Sequence, residues 1–274
     1  GLIDGDEVHI LHTDPLSRDS DDDGISDGDE DSDEDGLSDA NEINVHSTNP
    51  LEADIDEDRL TDRQEVTLNT NPFLADTDGD KLDDWAETNI TETDPLKQDT
   101  DDNGISDGDE DADSDGLSNA EEINAFGTPP MIADIDQDGL DDNEEILLKT
   151  DPRLLDSDDD GISDGVEVYV LNTNPLSRDS DDDGITDGNE DSDFDGLTNL
   201  EEINKYGTSP ITADTDQDKL TDWLEVNRLN TDPSLADTDS NGIPDGNEDA
   251  DKDGLTNLDE LSIYKTNPVD ADTD

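Results

Sequence analysis

The chain has 274 residues, 27% of them hydrophobic and 3% aromatic, and its formal net charge is −73. Such a composition buries too little apolar surface to offset the entropy of ordering a backbone, and its self-repulsion opposes a compact state. It excludes a conventional oily core, a basic nucleic-acid surface, a membrane-spanning apolar run and, with no cysteine, both disulfides and a thiol nucleophile.

A twelve-position frame organises the chain: Asp at 1, 3 and 5, Gly at 6, Ile or Leu at 7, Asp or Asn at 9, Glu at 12. Residues 1–7 supply positions 6–12 of one copy, with Asp4 and Glu7 in candidate ligand places. The first complete copy holds Asp19, Asp21, Asp23, Asp27 and Glu30, and a second follows without a linker: Asp31, Asp33, Asp35, Asp39 and Glu42. After a longer interval come Asp54, Asp56, Asp58, Asp62 and Glu65, then Asp76, Asp78, Asp80, Asp84 and Glu87. The next adjoining pair is Asp99, Asp101, Asn103, Asp107 and Glu110 with Asp111, Asp113, Asp115, Asn119 and Glu122. Two spaced copies follow, Asp134, Asp136, Asp138, Asp142 and Glu145, then Asp156, Asp158, Asp160, Asp164 and Glu167. A third pair is Asp179, Asp181, Asp183, Asp187 and Glu190 with Asp191, Asp193, Asp195, Asn199 and Glu202. One spaced copy, Asp214, Asp216, Asp218, Asp222 and Glu225, precedes the last pair. That pair is Asp237, Asp239, Asn241, Asp245 and Glu248 with Asp249, Asp251, Asp253, Asn257 and Glu260, and Asp272 and Asp274 open another copy. Thirteen copies are complete, and the starts repeat with an 80-residue super-period until the third block loses one unit. Both ends are read as falling inside a loop. Each of the ten longer intervals carries Thr-x-Pro, which sets an extended or turned link.

The spacing fits calcium, which takes six to eight hard oxygen ligands from carboxylates, carbonyls and water. Asp at 1, 3 and 5 converge when the chain curls, Gly at 6 permits positive φ, and Glu at 12 reaches back with two oxygens. Position 9 adds a direct or water-borne ligand. Position 7 turns its carbonyl inward: Ile25, Leu37, Leu60, Leu82, Ile105, Leu117, Leu140, Ile162, Ile185, Leu197, Leu220, Ile243 and Leu255. Magnesium, which keeps its own water, fits poorly. The acidic frame positions hold 60 of the 86 acidic residues, and about two divalent ions per frame would bring roughly 52 positive charges against the −73. More than one ion per loop is therefore expected. Arg59, Lys81 and Lys219 replace Gly at position 6, from which weaker binding in those loops is expected. A solvated, disordered acidic tract is the competing reading, but random acidity does not hold a five-ligand frame through thirteen copies.

With this frame the chain resembles thrombospondin type-3 repeats, in the cysteine-free form common in bacterial surface proteins, over essentially its whole length. The resemblance implies side-chain calcium ligation at the frame positions and a chain with little regular structure wrapped around a line of ions. Disulfides join repeats in the animal family; none is possible here. Dockerins share the loop, but their long helices do not fit these intervals. The expected fold is irregular, mostly coil with short helical turns: one continuous, elongated tandem-repeat array over residues 1–274 without a conventional hydrophobic core.

Functionally, this points to a calcium-stiffened extended rod, stalk or fibre, extracellular or on the cell surface, and not to an enzyme. Calcium ions are the implied partners, with other copies of the chain where segments join, and neither nucleic acid nor membrane insertion. An adhesion or partner-binding module, and calcium storage or mineral nucleation, are the alternatives. Position 7 and the aliphatics after position 12 (Ile43, Val66, Ile123, Ile203) read as a thin apolar spine. Trp85 and Trp223 read as covers for neighbouring loops rather than a carbohydrate site, and His9, His12 and His46 receive no metal role. Asn119 to Asn124 reads as one helical turn, and Asn89-Ile90-Thr91 is the single glycosylation sequon.

Overall fold

The computed structural model describes residues 1–273, and Asp274, a sequence-predicted ligand, lies outside them. The described chain contains no strand, only short helical turns and irregular backbone, as the repeat pattern implies. Two units are distinguished, Gly1–Ala133 and the chain from Asp134 onward.

Within each unit one frame builds the same way. Positions 1–7 curl into a loop whose position 6 has positive φ. Gly24 is at 101°, and Arg59, Lys81 and Lys219 accept the same region at 86°, 93° and 84°. Position 8 is extended and caps a single helical turn over positions 9–11. Ser118 and Thr198 do so in capping boxes with Glu121 and Glu201. From position 12 the turn widens into a five-residue π-helix, as in Glu87–Thr91 and Glu167–Leu171. A left-handed residue, Glu92 or Asn172, ends it, and the next N–H (Thr93, Thr173) returns to the carbonyl of the same Glu at 3.0 Å. The copies beginning at Asp54 and Asp134 use α-helices instead, Asp62–Leu68 and Asp142–Leu148.

The first copies of three adjoining pairs differ. Positions 9–11 form only a 3₁₀ turn there, Asp107–Asp109, Asp187–Asn189 and Asp245–Asn247. The chain then leaves extended at Glu110, Glu190 and Glu248, because the next loop starts at once and no residues remain for a wider turn.

The interior is inverted relative to an ordinary domain. Its buried apolar side chains are eight position-7 residues with Ala86 and Ala120. Thirty-two buried polar or acidic residues surround them. The expected apolar spine is present but interrupted. Leu82, Leu140, Ile162 and Leu220 are buried, Ile43, Val66, Ile123 and Ile203 are half-buried, and Ile25, Ile105, Ile185 and Ile243 are about half exposed.

Candidate metal centres

Backbone N–H groups pre-shape each loop by binding one oxygen of each carboxylate. In all thirteen frames the position-1 Asp accepts the N–H of position 6, whether that residue is Gly, Arg or Lys. Position 5 accepts the N–H of position 7 in every frame, as Asp80 does from Leu82 at 2.8 Å. Position 3 accepts from position 5, as Asp78 does from Asp80 at 3.2 Å. Each bond helps to fix a carboxylate so that its oxygens converge with those of the others. Asp19, Asp21 and Asp23 group in this way, as do Asp31, Asp33 and Asp35, Asp54, Asp56 and Asp58, and Asp76, Asp78 and Asp80, with ligand oxygens within 4.8 Å of one another.

Those second oxygens decide what the loops lack. In nine frames the position-3 carboxylate and the position-12 Glu each keep a buried oxygen with no hydrogen-bond partner, for example Asp78 Oδ2 with Glu87 Oε2 and Asp216 Oδ2 with Glu225 Oε2. Burying a bare carboxylate costs several kcal/mol even after relaxation. Nine such pairs exceed the total stability of an ordinary domain, about 5–15 kcal/mol. Either protons or cations must therefore neutralise them. Burial first, then the neighbouring Asp78 and Asp80, pushes the Glu87 carboxyl up to about 9, and Glu225 reaches about 9 for the same reasons. Glu42, Glu65, Glu145, Glu167 and Glu202 rise to about 8. An all-oxygen, convergent, anionic donor set with orphaned buried atoms suits a hard divalent cation of calcium's size.

Position 9 is placed differently from a simple own-loop ligand. Where position 2 is Ser or Thr, both of its oxygens commonly brace the loop, as Asp84 accepts the Thr77 N–H at 2.9 Å and hydroxyl at 2.7 Å. Its carboxylate also faces the preceding frame, so that Asp80, Glu87 and Asp107 form one fully buried group drawn from two successive frames. Asn119, Asn199 and Asn257 take the same place in three second-of-pair frames, and each amide donates to the position-9 carbonyl of the frame before. Of the partial copies, Asp4 and Asp272 are exposed and Glu7 half-buried.

Two contacts escaped the sequence reading. Thr of Thr-x-Pro is more than a link: Thr93, Thr173, Thr231 and Thr266 donate their hydroxyls to Oε1 of Glu87, Glu167, Glu225 and Glu260 at 3.1–3.3 Å. Its place five or six residues beyond position 12 was the available signal. The second contact joins frames. Position 5 uses its other oxygen to accept the position-10 N–H of the next spaced frame, as Asp80 does from Gly108 at 2.8 Å and Asp195 from Trp223 at 2.7 Å.

Seven stretches of the chain, residues 1–17, 31–53, 54–75, 111–131, 134–152, 156–177 and 249–271, match the family model of the bacterial TSP3 repeat. Together they cover more than half of the sequence. The chain belongs to the bacterial TSP3 repeat family. These are calcium-binding repeats, and the acidic groups could hold metal ions. No curated protein matches the chain.

The TSP3 frames also show what the position-6 cations and the tryptophans do. The Arg59 guanidinium turns away from its own loop, pairing with Asp83 at 2.7 Å and stacking 3.8 Å over Trp85 of the next frame. Lys81 pairs with Asp109, again in the next frame. Trp223 lies over Gly196 of the preceding loop, in keeping with a covering role.

Proposed function

We propose that this chain is one continuous array of calcium-binding repeats over residues 1–274, a structural rod, stalk or fibre segment outside the cell that calcium makes stiff. The observation that carries the reading is the pair of buried, unpartnered carboxylate oxygens in each of nine frames, which leaves folding dependent on a cation. Positions 1, 3, 5 and 12, with the position-7 carbonyl, hold the ion of a loop. The buried group of Asp80, Glu87 and Asp107 supports a further ion shared between frames, and with it more than one ion per loop. Frames contact chiefly their neighbours in sequence, the arrangement of a quasi-one-dimensional array. Millimolar calcium outside cells saturates even weak sites, whereas cytosolic calcium does not. Further copies of the chain are natural partners where segments join. The family is one of structural calcium-binding repeats and not of enzymes, so a non-catalytic role fits best.

Small-angle scattering and circular dichroism, each with calcium and with chelator, test this. A compact chain of this length has a radius of gyration of about 19 Å. The expected result is a much larger, well-defined value with calcium and loss of order in chelator. A value near the compact figure rejects the rod, and order that survives complete metal removal at pH 8, undiminished, rejects the dependence on calcium.

A further inference from the structure

We propose that the thirteen loops form two classes of calcium site: nine loops, here called covered, whose position-12 Glu is fully buried and which retain their ions, and four open loops, beginning at Asp19, Asp99, Asp179 and Asp237, that exchange ions readily with the surroundings. The inference rests on the calcium-binding reading and adds to it which loops give up calcium first.

The division follows from how an adjoining pair packs. Position 9 in the second half of each first-of-pair frame is buried: Asp27, Asp107, Asp187 and Asp245 are all at most 2% exposed. In three of these frames that half lids a preceding spaced loop, since the N–H groups of Gly108, Gly188 and Gly246 bind Asp80, Asp160 and Asp218 at 2.6–2.8 Å. The second member of the pair reaches back to the same loop. The Asn124 and Asn204 amides donate to the carbonyls of Lys81 and Gly161, and the Leu200 side chain lies against Gly161 and Gly188. Both members are thus spent on the frame before them. No frame remains to cover the first member's own ligand half.

Four features separate the classes along this line. Position 7 is about half exposed in the open loops, whereas Leu82, Leu140, Ile162 and Leu220 are at most 1% exposed in covered ones. Asp21, Asp101, Asp181 and Asp239 at position 3 are exposed. The buried, unpartnered oxygens at positions 3 and 12 occur in all nine other frames and in none of these four. Finally, two open loops carry Asn at position 5, and its amide satisfies the loop's own Glu: Asn103 donates to Glu110 at 2.7 Å and Asn241 to Glu248 at 2.5 Å. A covered loop therefore gains a low-dielectric, cation-demanding interior, while an open loop is partly satisfied without metal and wet. Affinity in calcium loops rises with ligand charge and rigidity, and two of the open loops carry one carboxylate fewer, with Asn103 and Asn241 at position 5.

The test uses the whole calcium-loaded chain mixed rapidly with a fluorescent chelator, following calcium release and tryptophan emission together. Trp85 and Trp223 sit on frames of the covered class and report it. Release is expected in two phases, the faster one minor, separated by at least about tenfold in rate, with tryptophan emission changing only in the slower phase. The paired variant Asp21→Asn with Asp181→Asn, both exposed, should shrink the fast phase by about half and leave the slow phase and the tryptophan signal unchanged. Asp78→Asn should reduce the slow phase instead. A single release phase, tryptophan change in step with the first calcium lost, or a slow phase reduced by the exposed pair overturns the two-class assignment. A chain that takes up no calcium fails the underlying reading instead.

Discussion

At the scale of single residues, the tightest constraint is steric rather than ionic. A Cβ on Gly108 or Gly165 would press against the backbone carbonyl of Asp80 or Asp138, and on Gly246 it would lie 2.8 Å from that of Asp218. Gly108→Ala should therefore push two frames apart and cost about 1–3 kcal/mol, the usual penalty of overpacking. A shift of the urea midpoint in calcium measures this; an unchanged midpoint would show that the junction yields freely. Thr173 is the second such residue. Its hydroxyl supplies a donor to Glu167 that no other side chain replaces, at 3.1 Å. Thr173→Val keeps the shape and should lower stability by about 1 kcal/mol, again read from the urea midpoint. Arg59 also belongs here. The sequence marks it as a cation that weakens its own loop, but the structure sends its charge to Asp83 and Trp85 of the next frame. The cost that remains in its own loop is the left-handed backbone.

At the scale of the frame, the unit is a loop plus the turn that carries Glu at position 12 back to it. Ser, Thr or Asp at position 8 starts most of these turns and Thr-x-Pro follows them, so local chemistry fixes where the carboxylates point. The pair junction adds one longer-range bond, the Asn199 amide to the Asp187 carbonyl at 2.7 Å. Asp39 occupies the equivalent place in another pair and instead accepts the N–H and hydroxyl of Ser32 at 3.0 and 2.8 Å. Asn199→Asp should thus be tolerated, whereas Asn199→Leu loses the bond to the position-9 carbonyl and the brace from Ser192. Trp223, lying over the loop that Asn199 closes, reports the difference: its emission should move to lower denaturant in the Leu variant alone.

At the scale of the whole molecule, charge governs stability. Without metal, Glu87 and Glu225 titrate at about 9 in the folded chain, because burial and neighbouring carboxylates oppose ionisation. An unfolded Glu titrates at about 4.3. The folded value is the higher, so the folded state binds more protons between the two. The stabilisation is complete below about pH 4 and is lost as pH rises toward about 9. The metal-free chain should therefore be more ordered at pH 4 than at pH 8, as far-UV circular dichroism in chelator would show. Equal order at both values would contradict the burial of these carboxylates. Calcium reverses the slope, since it requires the ionised form, and its affinity should fall as the solution is acidified.

What the sequence determined by itself is everything local: the frame, its thirteen copies, the positive φ at position 6, the helical turn after position 8 and the identity of the candidate ligands. These follow from residue types at fixed short spacing, and neighbouring atoms enforce them whatever the rest of the chain does. Tertiary structure decided which loops are closed. Ile25 and Ile162 hold the same frame position, yet one is about half exposed and the other buried, because another frame covers only the second loop. The facing of position 9 toward the preceding frame, and the aim of Arg59, likewise depend on contacts between residues more than twenty positions apart. Gly at position 10, as in Gly108, Gly188 and Gly246, was the legible trace of that packing, but its meaning appears only once the carbonyl it must clear is in place.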